Sequence, residues 1–391
     1  MSTIQRFFKG KNVLITGASG FLGNVLQQTF REKIPDVSSV VCLYHSKPPT
    51  ADSNTGKVEW IQSDLSRPDL GMNSDTLTRL RKNTNVVFHL AAYTRWDKGI
   101  KDQVLLNTVQ GMDFVKWTST FDRLDCLFMA SSYWASLINR QRVGETPAYY
   151  RETVRQDFLA RQEMKEILEQ GGQARVHEWP NAYSYSKNLL ERRLVEEYSH
   201  LPLVLGRITS VCGAWEFPKR GFSFFDNALP SLLRAVATEG CVHFPESVKT
   251  ALNDCIPVDL CVNLMLANMV ERAKKTQTTM KTIYLSSAHR NPYPIGKMLQ
   301  RAGDLQYHPT SEAAMKHLAS LPVSRSIKVN QMVLKHYAIG FEEKHVFLDD
   351  AARTPLEWMT KEDMALFPCR VEEADWSKIL EGMVNELTKK E

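Results

Sequence analysis

Paired cysteines are missing from this chain. Its seven cysteines are odd in number, and no two of them form a Cys-x-x-Cys motif. This pattern argues against a disulfide framework and against a cysteine-based zinc site, and it is typical of thiols that stay reduced. We therefore expect a reducing compartment, the cytoplasm, and no bound metal.

Long apolar runs and strong net charge are missing as well. No apolar segment approaches the roughly 20 residues that a membrane-spanning helix needs, and residues 1–11 are too polar for a signal peptide. The formal net charge of +5 is too small to indicate a nucleic-acid partner. We expect a cytoplasmic protein with no transmembrane segment. The sequence leaves open a peripheral position at a membrane surface and the oligomeric state.

Apolar runs alternate with amphipathic stretches through the first half of the chain. Strands are predicted at residues 12–16, 39–44, 58–61, 86–91 and 126–130. Alternating strands and helices indicate an α/β fold with a doubly wound parallel sheet of the Rossmann type. Such sheets bind ligands beyond the carboxyl ends of their strands. We therefore expect Gly17, Asp64, Ala91 and Ser131 to lie along one edge.

The pattern changes in two later stretches. Residues 136–179 are polar, charged and partly helical, and they form either a substrate lid or a pair of surface helices. After about Tyr293 the alternation fades and helical segments dominate. We therefore divide the chain into a cofactor-binding reductase domain, residues 1–292, and a smaller, mainly helical C-terminal domain, residues 293–391.

Three glycines, Gly17, Gly20 and Gly23, separate the first predicted strand from the first long helix. Glycines at this spacing allow a tight turn and a close approach of the backbone to a pyrophosphate, and the helix N-terminus supplies free N–H groups. A simple glycine-rich turn is the alternative. The residues predicted to hold the cofactor here are Thr16, Gly17, Ser19, Gly20, Phe21, Leu22 and Gly23.

The second strand is followed by His45, Ser46 and Lys47, with no Asp or Glu. A site that prefers NAD places a carboxylate there for the ribose hydroxyls, whereas a basic residue suits the 2′-phosphate of NADPH. NADPH is therefore predicted, and a solvated basic loop is the alternative. Asp64 follows the third strand and either bonds the adenine or forms a turn. The remaining predicted cofactor contacts are Leu65, Ala91, Ala92 and Asn107.

Tyr183 and Lys187 lie one helical turn apart, so their side chains share a face. A neighbouring ammonium favours the phenolate and lowers the tyrosine pKa, which makes the phenol a better acid near neutral pH. Ser131 or Ser132 is predicted to donate a second hydrogen bond to the same substrate oxygen. A loop or helix-capping hydroxyl is the alternative for either serine. Together these residues predict hydride transfer to or from a carbonyl.

Several motifs in order resemble the extended short-chain dehydrogenase/reductases, and more closely the fatty acyl-CoA reductases of the male-sterility family. They lie at residues 16–23, 63–71, 89–97, 179–187, 254–259, 291–292, 364–369 and 374–376. The resemblance spans nearly the whole chain. The glycine and tyrosine motifs are shared by the superfamily, and the others narrow the choice to the family.

The resemblance implies that Tyr183 and Lys187 are catalytic and that Ser131 fills the family's hydroxyl position. It implies NADPH-dependent reduction of a long-chain fatty acyl-CoA to the fatty alcohol through an aldehyde.

His45 stands where the family is expected to have an arginine. The family's animal members often carry an apolar C-terminal segment that this chain lacks, so membrane anchoring is not expected. The alternatives are a carrier-bound thioester, a free aldehyde reduced by two electrons, or an NADP-binding sensor without turnover.

Overall fold

The computed structural model describes residues 1–46, 56–137, 148–150, 159–171, 174–226, 228–252, 254–274, 280–342 and 345–389. Lys47, one of the predicted cofactor residues, lies outside these ranges. The strands are β1 (Asn12–Thr16), β2 (Ser39–Tyr44), β3 (Val58–Gln62), β4 (Val86–His89), β5 (Cys126–Ser132), β6 (Ala148–Tyr150), β7 (Leu203–Ile208), β8 (Ser210–Cys212), β9 (His243–Pro245), β10 (Cys255–Pro257), β11 (Lys281–Leu285), β12 (Gln306–His308) and β13 (His345–Phe347).

The α-helices are α1 (Thr3–Phe8), α2 (Phe21–Lys33), α3 (Ser74–Asn83), α4 (Ile100–Gln103), α5 (Gln110–Thr118), α6 (Ala160–Gln170), α7 (Ala182–Tyr198), α8 (Ala228–Glu239), α9 (Val258–Lys274), α10 (Ile295–Leu299), α11 (Ser311–Ala319), α12 (Arg325–Glu342), α13 (Asp350–Arg353), α14 (Lys361–Leu366) and α15 (Trp376–Thr388). A π-helical segment, Val104–Val109, joins α4 to α5. Within the described ranges, no helix combines the length and the apolar character needed to cross a bilayer.

Seven parallel strands form the central sheet in the order β11-β7-β5-β4-β1-β2-β3. The chain runs outward from β1 in both directions, so the order reverses between β1 and β4. In a doubly wound sheet this reversal opens a crevice at the carboxyl ends of the strands, where ligands bind. The Rossmann-type α/β fold predicted from the sequence is therefore confirmed. The strands β7 and β11 extend the sheet beyond the five that were predicted.

Apolar side chains cover both faces of the sheet. Val13 and Ile15 of β1 join the core cluster that includes residues of α2 and α9. Leu14 joins a second cluster with residues of α5 and α7. Successive side chains of a strand point to opposite faces, so a sheet covered on both sides has continuous apolar strands. This double burial explains why the strands appear in the sequence as unbroken apolar runs.

The C-terminal region is mainly helical, as predicted, and it packs against the sheet-bearing part of the chain. The side-chain amide of Asn268 on α9 donates to Ala352 O at 2.9 Å. Lys281 on β11 donates to Thr354 Oγ1 at 2.8 Å, and Ile4 N near the N-terminus donates to Asp363 Oδ1 at 3.0 Å. These contacts join the two regions closely, and a boundary at residue 293 stays a prediction.

The described part of residues 136–179 is anchored to α7. Glu163 on α6 accepts from Arg192 at 2.8 Å and 3.1 Å, and from Tyr185 Oη at 2.7 Å. All three side chains are buried. Separating a buried ion pair would leave an uncompensated buried charge, so this contact fixes α6 against α7. This favours a packed helix over a lid for α6. Residues 138–147, 151–158 and 172–173 lie outside the described ranges, so the lid stays a prediction there.

Candidate active site

The glycine-rich turn packs directly onto the end of β4. Gly17 has a φ of +69°, and a Cβ there would lie 2.7 Å from Ala91 N. A Cβ on Gly23 would lie 2.3 Å from Gly17 O. Side chains at either position would therefore force the turn apart. Ser19 and Gly20 are exposed, so the N-terminus of α2 is open to solvent and suited to bind phosphate.

Thr16 ties the carboxyl ends of β1 and β4 together. Its Oγ1 lies 2.9 Å from His89 Nδ1 and accepts from Ala91 N at 3.2 Å. Burial, together with the charge of Lys187, lowers the pKa of His89 to about 3, so this imidazole is neutral. His89 was not predicted as a site residue, although it stands in one of the motifs that carry the family resemblance.

Three of the predicted cofactor side chains belong partly or wholly to the core. Phe21 is buried and stacks on Phe224 at a centroid distance of 5.3 Å. Leu22 and Leu65 are half-buried and pack against the two core clusters. Ala92 is exposed beside the glycine turn. Contacts between these residues and the cofactor therefore stay predictions.

Asp64 forms a turn at the end of β3. Its Oδ1 accepts from Ser66 N at 2.9 Å and from Ser66 Oγ at 2.6 Å. These hydrogen bonds lower the pKa of the Asp64 carboxyl. His45 Nε2 lies 4.0 Å from Asp64 Oδ1, and the His45 side chain is 73% exposed. The turn-forming role is therefore present, and a further contact of Asp64 with the adenine stays a prediction.

Helix α7 carries the predicted catalytic pair on one buried face. Asn181 caps the helix, because its Oδ1 accepts from Ser184 N at 2.9 Å. Tyr183, Lys187 and Glu191 follow at four-residue spacing, and their side chains are 8%, 2% and 0% exposed. The cap fixes where the helix begins and therefore where Tyr183 stands relative to the sheet.

The lowered pKa predicted for Tyr183 is wrong for this structure. Burial raises the pKa of the Tyr183 phenol to about 12, and a hydrogen bond with the Ser132 side chain opposes that rise. Desolvation disfavours the phenolate more strongly than its surroundings favour it. The phenol is therefore fully protonated at neutral pH and can donate a hydrogen bond or a proton.

Lys187 is a desolvated cation. Burial lowers the pKa of its ammonium to about 8, and the Glu191 carboxylate partly offsets this effect. The Lys187 Nζ donates to Ala130 O at 3.1 Å, at the end of β5. It is therefore held at the edge of the sheet, where the crevice opens.

The two neighbouring serines of β5 have different partners. Ser131 Oγ donates to Glu191 Oε1 at 2.5 Å. Ser132 is hydrogen-bonded to Tyr183, and its Oγ also accepts from Trp134 N at 3.3 Å. Adjacent strand residues point to opposite faces, so only one of them can stand beside the tyrosine. The structure favours Ser132 for that position. The sequence pattern left Ser131 and Ser132 open, and the family resemblance implied Ser131.

Glu191 is the centre of a buried polar network that the sequence did not reveal. Arg207 on β7 donates to Glu191 Oε2 at 2.7 Å and to Tyr284 Oη at 2.9 Å. The charge of Glu191 raises the pKa of Arg207 against the effect of burial. The sequence signals were a glutamate four residues after Lys187 and an arginine, Arg207, that borders an apolar run. The network fixes Ser131 and the Lys187 face of α7 relative to the sheet.

Asn107 lies on the π-helical segment and joins α7 to the loop after β4. Its side chain accepts from Tyr93 N at 3.0 Å and donates to Tyr93 O at 3.1 Å. It also donates to Ser186 Oγ at 3.2 Å. The Asn107 amide therefore holds the loop after β4 and helix α7 together beside the crevice. The predicted contact of Asn107 with the cofactor stays a prediction.

An aromatic cluster surrounds Tyr183, and part of it comes from the C-terminal region. Tyr183 packs with Trp134, Tyr284 and Phe347, the last of which lies on β13. Trp96 stacks edge-on against Trp134 at a centroid distance of 5.3 Å. We call these residues, with Tyr133 and Leu137, the aromatic wall. It makes the surroundings of the phenol strongly apolar, which is also why the pKa of Tyr183 is high.

The chain is similar to known proteins of one family. The model of the male sterility protein, an NAD-binding family, matches residues 15–265. Fatty acyl-CoA reductase 2 of Homo sapiens is 27% identical over 325 residues, which cover 76% of this chain and 62% of the human protein. Fatty acyl-CoA reductase 1 of Rattus norvegicus is 26% identical over 393 residues, with 92% and 74% covered. The chain spans less than two thirds of the human relative.

Among solved structures, the terminal R domain from the myxalamid PKS-NRPS biosynthetic pathway has a similar fold. It superposes with a TM-score of 0.72 at 15% identity and covers 98% of this chain and 91% of that chain. At this identity the likeness shows the fold alone. The family model, by contrast, matches well over half of the sequence, and the chain therefore belongs to the male sterility protein family.

Proposed function

We propose that this protein reduces a long-chain fatty acyl-CoA thioester to the fatty alcohol, with NADPH as the reductant. The observation that carries the proposal is the protonated Tyr183, buried with Ser132 and Lys187 in an apolar wall at the ligand-binding edge of the sheet. The names of the relatives, fatty acyl-CoA reductases, support the same substrate class.

The residues present fit a nicotinamide dinucleotide. The open N-terminus of α2 and the glycine turn would hold its phosphates, and Lys187 would hold the nicotinamide ribose. His45 and Ser46, which follow β2 without a carboxylate, would receive a 2′-phosphate. When bound, the dinucleotide supplies the hydride.

Tyr183 and Ser132 would stabilise the charge that develops on the substrate oxygen. As the thioester carbon is reduced, its carbonyl oxygen becomes an oxyanion, and the two hydroxyls are placed to donate to it. The resulting hemithioacetal loses the thiol and gives an aldehyde. In a second reduction, for which another NADPH would supply the hydride, Tyr183 would donate its proton to the alkoxide, and the charge of Lys187 would ease that transfer.

The aromatic wall suits an acyl chain. Trp96 and Tyr133, the partly exposed members of the wall, present apolar rings, and apolar surface removed from water stabilises a complex by roughly 25 cal/mol per Å². A hydrocarbon tail that covers this wall would also exclude water from the reacting carbonyl, which strengthens the hydrogen bonds of Tyr183 and Ser132.

Chromatography of the products tests the proposed reaction. We expect the purified protein, given NADPH and mixed acyl-CoAs, to release long-chain fatty alcohol, and to react at least about tenfold more slowly with NADH, since one charge-assisted hydrogen bond contributes about 1.5–3 kcal/mol. Accumulated aldehyde would show that reduction stops after two electrons. NADPH binding without any product would favour a sensor instead.

A carrier-bound acyl thioester is the second candidate substrate. It is favoured by the shared fold with the terminal R domain from the myxalamid PKS-NRPS biosynthetic pathway. Palmitoyl-CoA and a palmitoylated carrier protein, compared at equal concentration, separate the two. A higher kcat/KM with the carrier would reassign the substrate while leaving the chemistry unchanged.

The two serines of β5 give a matched pair of variants. We expect Ser132→Ala to lower kcat by about 10²-fold, the usual effect of losing one oxyanion donor, with little change in stability. We expect Ser131→Ala to lower the melting temperature instead, because it removes a donor from the buried Glu191. Steady-state kinetics and thermal unfolding of both variants check this. A larger kcat loss in Ser131→Ala than in Ser132→Ala would identify Ser131 as the hydroxyl that donates to the substrate oxygen.

A further inference from the structure

Three histidines from separate elements converge outside the seven-stranded sheet. His243 lies on β9, His308 on β12 and His317 on α11. One ligand nitrogen from each lies within 4.8 Å of the other two. His243 Nδ1 and His308 Nε2 are 3.1 Å apart. Their separations along the chain follow no known metal motif, so the cluster is visible only in the folded protein.

The scaffold holds these histidines in place. The strands β9 and β12 pair in parallel, and His243 lies opposite Gln306. His308 follows Gln306 by two residues, so the side chains of His243 and His308 point to the same face of the pair. Asn330, which is fully buried on α12, fixes the backbone of His243 from both sides. Its Oδ1 accepts from His243 N at 2.9 Å, and its Nδ2 donates to His243 O at 2.8 Å.

The chemistry of the cluster favours binding of a metal ion over protonation of the imidazoles. Burial and the charges of the other histidines lower the pKa of His243 and of His308. Three imidazolium ions at this distance would repel one another, so the neutral form is favoured, and the neutral imidazole is the form that binds metals. The hydrogen bond between His243 and His308 does not include His317. A bound metal ion would contact one nitrogen of each of the three rings.

We propose that His243, His308 and His317 form a Zn²⁺ site. Zinc bound to histidine has Zn–N distances of about 2.0–2.1 Å in a tetrahedron, which separates the nitrogens by roughly 3.3 Å. The nitrogens of His243 and His308 already meet this spacing. His317 is exposed, and its ring centroid lies 4.9 Å from those of His243 and His308. Its exposure also leaves the fourth position to water.

The role that follows is structural. The ion would join α11 to the small separate sheet formed by β9 and β12. None of the steps proposed for Tyr183 uses it. The site therefore predicts a metal-dependent stability that is separate from the reduction itself.

Metal binding to the untagged, full-length protein tests the site. After chelator treatment and dialysis, we expect about one Zn²⁺ per chain in a competition titration, and a rise in melting temperature of about 2–5 °C at saturating zinc. Replacement by Co²⁺ should give the intense visible absorption of a four-coordinate ion. These readouts do not depend on catalysis, so they succeed or fail independently of the proposed reductase activity.

Two histidine variants give the contrast. His317→Ala removes an exposed ligand, so the fold should survive, and zinc affinity should fall at least about 100-fold, roughly one ligand's share of a structural site. His200→Ala changes an exposed histidine outside the cluster and should leave affinity unchanged. Failure to bind zinc stoichiometrically, or equal affinities of the wild-type and His317→Ala proteins, would overturn the proposal.

Discussion

Replacing Tyr183 with phenylalanine is expected to lower the rate of NADPH-dependent palmitoyl-CoA reduction by about 10²–10⁴-fold. The substitution removes only the hydroxyl, and the ring keeps its place among Trp134, Tyr284 and Phe347. The loss would therefore report the proton and hydrogen bond that Tyr183 supplies to the substrate oxygen, not a change in packing. The measurement is the steady-state consumption of NADPH.

The same helix offers a control. Tyr198, near the end of α7, is partly exposed, and Tyr198→Phe should leave turnover within about twofold, as expected of a surface change. Both variants should still bind NADPH, which fluorescence titration can establish. Unchanged turnover in Tyr183→Phe would place the proton donor elsewhere and remove the main support of the proposed function.

Replacing Glu191 with glutamine is expected to lower the free energy of unfolding by about 3–5 kcal/mol. Glu191 is fully buried, and it accepts from both Ser131 and Arg207. Its neutralisation leaves the Arg207 cation buried without a balancing carboxylate, which costs far more than the loss of a surface ion pair. Urea unfolding with linear extrapolation measures the effect.

Glu191→Gln should also change the pH dependence of the reaction. Burial lowers the pKa of Lys187 to about 8 even though the Glu191 carboxylate opposes that fall. Without that charge the Lys187 pKa falls further, so the ammonium deprotonates at a lower pH. The alkaline limb of the kcat profile should therefore shift to lower pH, an effect that a purely structural residue would not produce.

Glu169→Gln on the exposed surface of α6 is the matched control. It makes the same change of charge, and we expect less than about 0.5 kcal/mol of change in the free energy of unfolding, with no movement of the pH profile. If Glu191→Gln behaved in the same way, the buried network would have no part in positioning α7.

The sequence alone predicted the parts of this site that depend on local geometry. Gly17 and Gly23 are required by the contacts that a Cβ would make within one turn and with the adjoining strand. Tyr183 and Lys187 are one helical turn apart whatever the rest of the chain does. Alternating apolar and amphipathic runs likewise predicted the parallel sheet, because each strand is buried on both faces.

Long-range packing decided what the sequence could not. A strand places Ser131 and Ser132 on opposite faces, and only the position of α7 shows that Ser132 meets Tyr183. The pKa of Tyr183 follows from burial by the aromatic wall, whose Phe347 lies more than 160 residues later in the chain.

The histidine cluster shows the same division. Its three members have no spacing that a helix or a turn would impose, and they meet because β9 pairs with β12 and α11 follows that strand. Local spacing determined which residues could take part in the chemistry of this protein. The tertiary structure decided which of them touch, since burial, charge and distance between remote segments are properties of the packed chain.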